Sequence, residues 1–174
     1  IPSPNLPTLD SVIVYPGAVL VEGTRLSEGR GTTRPFELIG APWIDGDRLA
    51  DAMNARGLPG VHFRAAFFEP TFQKHARQSC GGCQIHVLER HAFRPVLTGV
   101  ALIEMFRRFD PARFAWRQPP YEYEHDKMPI DILAGTDRLR KDIEAWADLK
   151  DMEAWWKEEL KEFEKIRRKY LIYK

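Results

Sequence analysis

The sequence carries almost no net charge: 26 Lys and Arg stand against 25 Asp and Glu in 174 residues, a formal +1 at pH 7. That balance argues against a general binder of nucleic acid or of an acidic membrane surface, which needs a surplus of one sign. Long apolar runs are missing too, the longest falling far short of the ~20 residues that cross a bilayer. There is no internal repeat and no low-complexity tract. No phosphate-cradling glycine loop, nucleophile elbow or paired metal motif is present. Cysteine is scarce, limited to Cys80 and Cys83. The opening Ile1-Pro2-Ser3-Pro4-Asn5-Leu6-Pro7 has neither the basic cap nor the apolar segment of a secretory signal, and no initiator Met. Its prolines favour an extended path, so residues 1–10 read as a linker out of a longer chain.

What is present suits one soluble globular domain over residues 11–174, with 44% hydrophobic and 29% charged residues. Ser11 to Tyr15 and Ala18 to Val21 read as short strands separated by Pro16-Gly17. Phe36 to Ile39 reads as a buried extended segment. Asp45 or Asp47 caps a helix running to Arg56, which places Leu49, Ala52 and Met53 on one face and Gly57 as the stop. Val61 to Phe68 and Gln84 to Leu88 are the next strands, joined by a polar loop over 69–82. Pro95 opens a helix to Phe109, with Leu102, Met105, Phe106 and Phe109 on a shared face. Residues 110–128 are irregular and proline-broken. A short helix near 136–146 precedes a long amphipathic one from about Asp151. The latter carries Met152, Trp156, Leu160, Phe163, Ile166 and Tyr170 as a core stripe, with Glu153–Lys157 and Glu164–Arg168 on its solvated side. Strands and helices without regular alternation predict an α+β fold: a small mixed sheet packed by several helices.

The densest chemistry lies in residues 22–37, Glu-Gly-Thr-Arg-Leu-Ser-Glu-Gly-Arg-Gly-Thr-Thr-Arg-Pro-Phe-Glu. Glycines let a ligand approach the backbone, and arginine is a rigid fork matched to carboxylates and phosphates. Such a loop is a candidate ligand site on a rigid scaffold. Glu28 and Glu37 are the candidate carboxylates for acid/base work, because a glycosidase needs a carboxyl pair flanking the bond. Each is equally suited to a structural ion pair, Glu28 with Arg30 and Glu37 with Arg34. Gln84 and His86, two apart on a strand, present their side chains on one face.

Cys80-Gly81-Gly82-Cys83 has the spacing of a redox pair or half a zinc site. His86 and His91 follow at spacings that fit no finger pattern, and an extended segment would pull them apart. The reading preferred here is a pair of small residues in a tight loop, with no metal and no cofactor.

Several stretches together resemble one family. They are Ser3 to Thr8, Tyr15-Pro16-Gly17, Glu22-Gly23-Thr24, Ser27 to Glu37, Gly40-Ala41-Pro42-Trp43, Phe63-Arg64, Gln84-Ile85-His86-Val87, Pro119 to Tyr123 and Ile130 to Gly135. They look like the NamZ-type exo-β-N-acetylmuramidases, formerly a domain family of unknown function. The chain is similar to the C-terminal α+β part of that family, and the Rossmann-like N-terminal part has no counterpart in it. Cys83 departs from the aliphatic residue expected there.

The resemblance implies a glycoside hydrolase releasing terminal β-linked N-acetylmuramic acid from peptidoglycan fragments, with its cleft between two domains. It implies two partners: the N-terminal domain and a muropeptide or MurNAc-GlcNAc saccharide. It also implies a bacterial, periplasmic or secreted setting. In that frame Arg30 or Arg34 grips the lactyl carboxylate, Thr32 and Thr33 bond the sugar, and Gln84 and His86 add polar contacts. Trp43, Phe67, Phe68 and Trp116 are then candidates for the apolar face toward the second domain. The rival reading is a muramyl-sugar-binding or interaction module with no turnover.

Overall fold

A computed structural model describes residues 3–173. The order is α1 (Leu9–Ala18), a 3₁₀ turn (Val19–Gly23), β1 (Leu38–Ala41), α2 (Gly46–Ala55), β2 (Val61–Phe68), β3 (Cys80–Val87), α3 (Pro95–Phe109), α4 (Pro129–Ala134), α5 (Arg138–Glu144) and α6 (Leu149–Arg167). The fold is α+β. The three strands form one sheet in the order β1-β3-β2, antiparallel throughout and so not the mixed sheet expected. Phe63, Ile39, Leu49, Met53, Leu102, Phe106, Ile130 and Ile143 fill the core between sheet and helices.

The expected strands at 11–15 and 18–21 are instead α1 and the 3₁₀ turn. Val12, Ile13 and Val14 favour extension, but Thr8 caps a helix by accepting from the Ser11 N–H at 3.1 Å. Ser11, Val14 and Ala18 then bury one helical face. Packing overrides propensity. Gly17 does not start a turn; it sits where α1 crosses α3. A Cβ there would stand 1.8 Å from the Pro95 carbonyl oxygen, and one on Gly99 would stand 2.2 Å from the Gly17 carbonyl oxygen.

The cysteine motif is not a loop either. It opens β3, with Cys83 opposite Ile39 and Ala65 and Gly82 opposite Gly40 and Ala66. Residues three apart on a strand point to opposite faces, so the two thiols diverge. The glycines between them let the segment at Ile44 lie directly on the strand: a Cβ on Gly81 would meet the Ile44 carbonyl oxygen at 2.0 Å.

The C-terminal stripe corrects a further expectation. Met152 is buried, but Leu160, Phe163, Ile166 and Tyr170 are all more than half exposed. A helical stripe becomes core only where a facing surface closes on it. Leu160 and Phe163 wall an open groove opposite Phe93 and Leu97, while closure happens for the first turns of α6. There Trp155 and Trp156 pack on the core, and Arg94 pairs with Glu153. Glu153–Lys157 pairs as expected; farther on, the ladder is Glu158–Lys161 and Glu162–Lys165.

Candidate functional site

The polar segment over 22–37 is folded into the domain, not draped over it. Glu22, Thr24, Ser27, Glu28 and Glu37 are buried. Ser27 exchanges backbone hydrogen bonds with Gly40 on β1, at 2.8 and 3.0 Å. Gly29 adopts φ 74°, and a Cβ there would stand 2.6 Å from the Leu38 carbonyl oxygen. The glycine thus permits both the left-handed turn and its close approach to β1.

Two separate acidic centres result. In the first, Arg30 donates to Glu22 Oε1 at 2.5 Å, and its Nε lies 3.4 Å from Glu28 Oε1. Lys74 donates to Glu28 Oε2 at 2.9 Å and to the carbonyls of Val21 and Glu22 at 3.2 and 3.3 Å. Tyr121 donates to Glu22 Oε2 at 3.0 Å. Burial, and then the Glu22 charge, push the Tyr121 phenol up to about 12. Burial lowers the Lys74 ammonium, partly offset by Glu28.

The second centre is Glu37. Thr8 and Ser11 donate to its Oε1 at 3.0 and 2.9 Å, while Arg34 and Gln84 approach Oε2 at 3.4 and 3.5 Å. Arg64 on β2 fixes Gln84 by donating to its Oε1 at 2.6 Å. Next to Gln84 on the same face stands His86, whose Nε2 is buried without a hydrogen-bond partner. Burial depresses its pKa, and the nearby Arg64 and His62 add to the effect. Arg34, Glu37, Gln84 and His86 line one polar cavity of about 190 Å³, with Asp10 at its wall.

The structure therefore brings Arg34, Glu37, Gln84 and His86 together and separates them from Glu28 and Arg30. Thr32 and Thr33 lie elsewhere, on a wide groove of about 1000 Å³ shared with Phe67, Phe68 and Phe72. Thr32 is partly spent within the loop, donating to the Gly29 carbonyl at 2.6 Å. Of the four aromatics expected on an open face, Phe67 is 67% exposed, whereas Trp43, Phe68 and Trp116 are half-buried. Sequence reading missed Glu22, Lys74, Tyr121, Thr8 and Ser11. The pairing of Glu22 with Tyr121 spans 99 positions, which no local pattern signals.

Among the described residues no group of three His, Cys, Asp or Glu is placed to hold a metal ion. No described helix is long and apolar enough to cross a membrane.

Compared with known proteins, residues 13–173 match the family model described as exo-β-N-acetylmuramidase NamZ, C-terminal. The chain belongs to this family. It is 43% identical over 173 residues to the peptidoglycan β-N-acetylmuramidase NamZ of Bacillus subtilis (strain 168), covering 99% of this chain and 40% of that protein. Two crystal structures of DUF1343 family proteins from Bacteroides fragilis NCTC 9343 share the fold across 99% of the chain. One has a TM-score of 0.85 at 23% identity and is covered over 44% of its length; the other has 0.69 at 25%, covered over 43%. The NamZ C-terminal domain thus spans less than half the length of each of these relatives.

Proposed function

We propose that this domain forms one wall of the substrate cleft of a glycoside hydrolase that releases terminal β-linked N-acetylmuramic acid from the non-reducing ends of peptidoglycan fragments. The observation that carries this reading is the match to the NamZ C-terminal family over residues 13–173, joined to 43% identity with the B. subtilis enzyme. In this proposal a Rossmann-like N-terminal domain supplies the other wall, and the protein works where such fragments occur, outside the bacterial cytoplasmic membrane. The substrate is a MurNAc-GlcNAc saccharide or a muropeptide.

The geometry supports a binding share of the work for this wall. Arg34 is half-exposed at the mouth of the Glu37–Gln84–His86 cavity, and Thr32 and Thr33 line the neighbouring groove, so these groups are the proposed sugar contacts. Arg30 acts indirectly, by holding Glu22 and Glu28 in place. Glu28 and Glu37 remain the carboxylates to test. Glu28 already accepts from Lys74 and pairs electrostatically with Arg30 Nε at 3.4 Å, and Glu37 accepts from Thr8, Ser11, Arg34 and Gln84. That engagement favours the rival reading, a stand-alone muramyl-sugar-binding or interaction module with no turnover.

A chromogenic β-N-acetylmuramide distinguishes the two. The expected result is chromophore release by the two domains together and none by this domain alone. Release by this domain alone would place the chemistry on its own carboxylates. No release by a correctly folded two-domain protein would overturn the hydrolase reading.

A further inference from the structure

A second cavity, of about 440 Å³, opens beside Lys74 and is distinct from the Glu37 centre. Arg25, Lys74, Arg117, Gln73, His75 and Gln78 line it, and no Asp or Glu does. Two backbone contacts fix its arginines. Thr24 bridges Trp116 in antiparallel fashion, the Arg25 N–H donates to the Ala115 carbonyl at 2.9 Å, and the Arg117 N–H donates to the Gly23 carbonyl at 2.9 Å. Arg25 and Arg117 therefore flank one short two-stranded ribbon.

Charge around this cavity does not balance. Glu22 and Glu28 are matched by Arg30 and Lys74. Neither the Arg25 nor the Arg117 guanidinium has a carboxylate within 4.0 Å among the described residues. Arg117 instead lies over the Tyr121 ring, 5.0 Å from its centroid, which holds the guanidinium in place without neutralising it. His75 adds no acceptor charge; its Nε2 is engaged with the Arg25 carbonyl at 2.8 Å. Two guanidinium forks thus share a concave surface lined by no acid and flanked by side-chain amides, while the Lys74 ammonium beneath is spent on Glu28 and the Val21 and Glu22 carbonyls. A planar anion is the chemistry that such a surface takes.

We infer that the Arg25–Arg117 cavity is a carboxylate-binding subsite. Resting on the reading above, its occupant is the lactyl carboxylate of the muramyl sugar. The grip on that acid then falls to Arg25 and Arg117, because Arg30 is occupied by Glu22 and Glu28, and Arg34 pairs with Glu37.

The test uses the full-length protein with arginine side chains isotopically labelled for NMR. Lactate is the simple probe, N-acetylmuramic acid the sugar probe, and N-acetylglucosamine the carboxylate-free control. Lactate and N-acetylmuramic acid are expected to shift the Arg25 and Arg117 resonances, and N-acetylglucosamine is expected to leave them in place. Arg25→Gln and Arg117→Gln should each weaken N-acetylmuramic acid binding by about tenfold or more, with partial recovery in the Lys variants. Unchanged melting confirms that each variant is folded, and a variant that fails this check is replaced by its Lys counterpart. Affinity unchanged in both Gln variants, or no response to either acid, overturns the subsite. If lactate binds there and N-acetylmuramic acid does not, the subsite stands and the muramyl reading falls.

Discussion

Lys74 Nζ donates to Glu28 Oε2 at 2.9 Å, joining two positions 46 residues apart. Glu28 is buried and Lys74 largely so. Removing one member of a buried pair costs up to about 3 kcal/mol where the other charge is stranded, and here Arg30 Nε, 3.4 Å from Glu28 Oε1, remains as partial compensation. Lys74→Met should destabilise the domain by up to that order in urea unfolding. The double variant Lys74→Met/Glu28→Gln should lose less than the single one, because it removes the stranded charge as well. A double variant as damaged as the sum of both singles would show that the two residues act independently.

Burial pushes the Cys80 thiol up to about 11 and the Cys83 thiol up to about 12 from an ordinary 9.0. A folded-state pKa above the unfolded one stabilises below the unfolded value, and that stability is lost as pH rises through the folded value. The window therefore runs from pH 9 upward to 11–12. Tyr121 acts in the same sense above pH 10, and Lys74, lowered from 10.5 chiefly by burial, acts in the opposite one. Unfolding free energy should fall between pH 9 and 11, with a shallower slope in Cys83→Ala. Both thiols should resist a disulfide reagent at pH 8 until denaturant is added.

His86 should titrate below 6.5 in a proton NMR series, since burial, then Arg64 and His62, disfavour the imidazolium. Glu37 pulls the other way. Arg64→Gln should therefore raise the midpoint and Glu37→Gln should lower it. As pH falls below 6.5 the unfolded chain takes the proton first, so this histidine subtracts stability in acid. A midpoint insensitive to both substitutions would mean that neither neighbour faces the ring.

The elements with strong local signals were legible in the sequence. β2 runs over Val61–Phe68 as alternation implies, and Pro95 and Phe109 bound α3. The aspartate cap of α2 was legible as well, with Asp45 accepting from the Arg48 N–H. Elements decided by tertiary contact were not. The branched run Val12–Val14 is helical because a cap and a crossing helix make it so, and α4 is too short, at six residues, to show a period. Glycine hid the start of β3 in the same way.

At the candidate site, the pairing of Gln84 with His86 followed from strand alternation, and the proximity of Arg34 to Glu37 from their spacing of three. That Glu28 and Glu37 occupy different centres depends on how a sixteen-residue loop folds back on itself. Sequence spacing carries no such information.

At the crossing of α1 and α3, Gly17 and Gly99 bring two backbones together with no side chain between them. For anyone diversifying this domain, those two positions have one permitted letter each. Even a single methyl would have to push whole helices apart, and with α1 would go the Thr8 and Ser11 hydroxyls that hold Glu37. Gly57 and Gly135 impose a different restriction: the space around them is open, but their backbones, at φ 62° and 72°, are left-handed. Combinatorial freedom is widest along the outer half of α6, and it runs out at a helix crossing that has no side chains to vary.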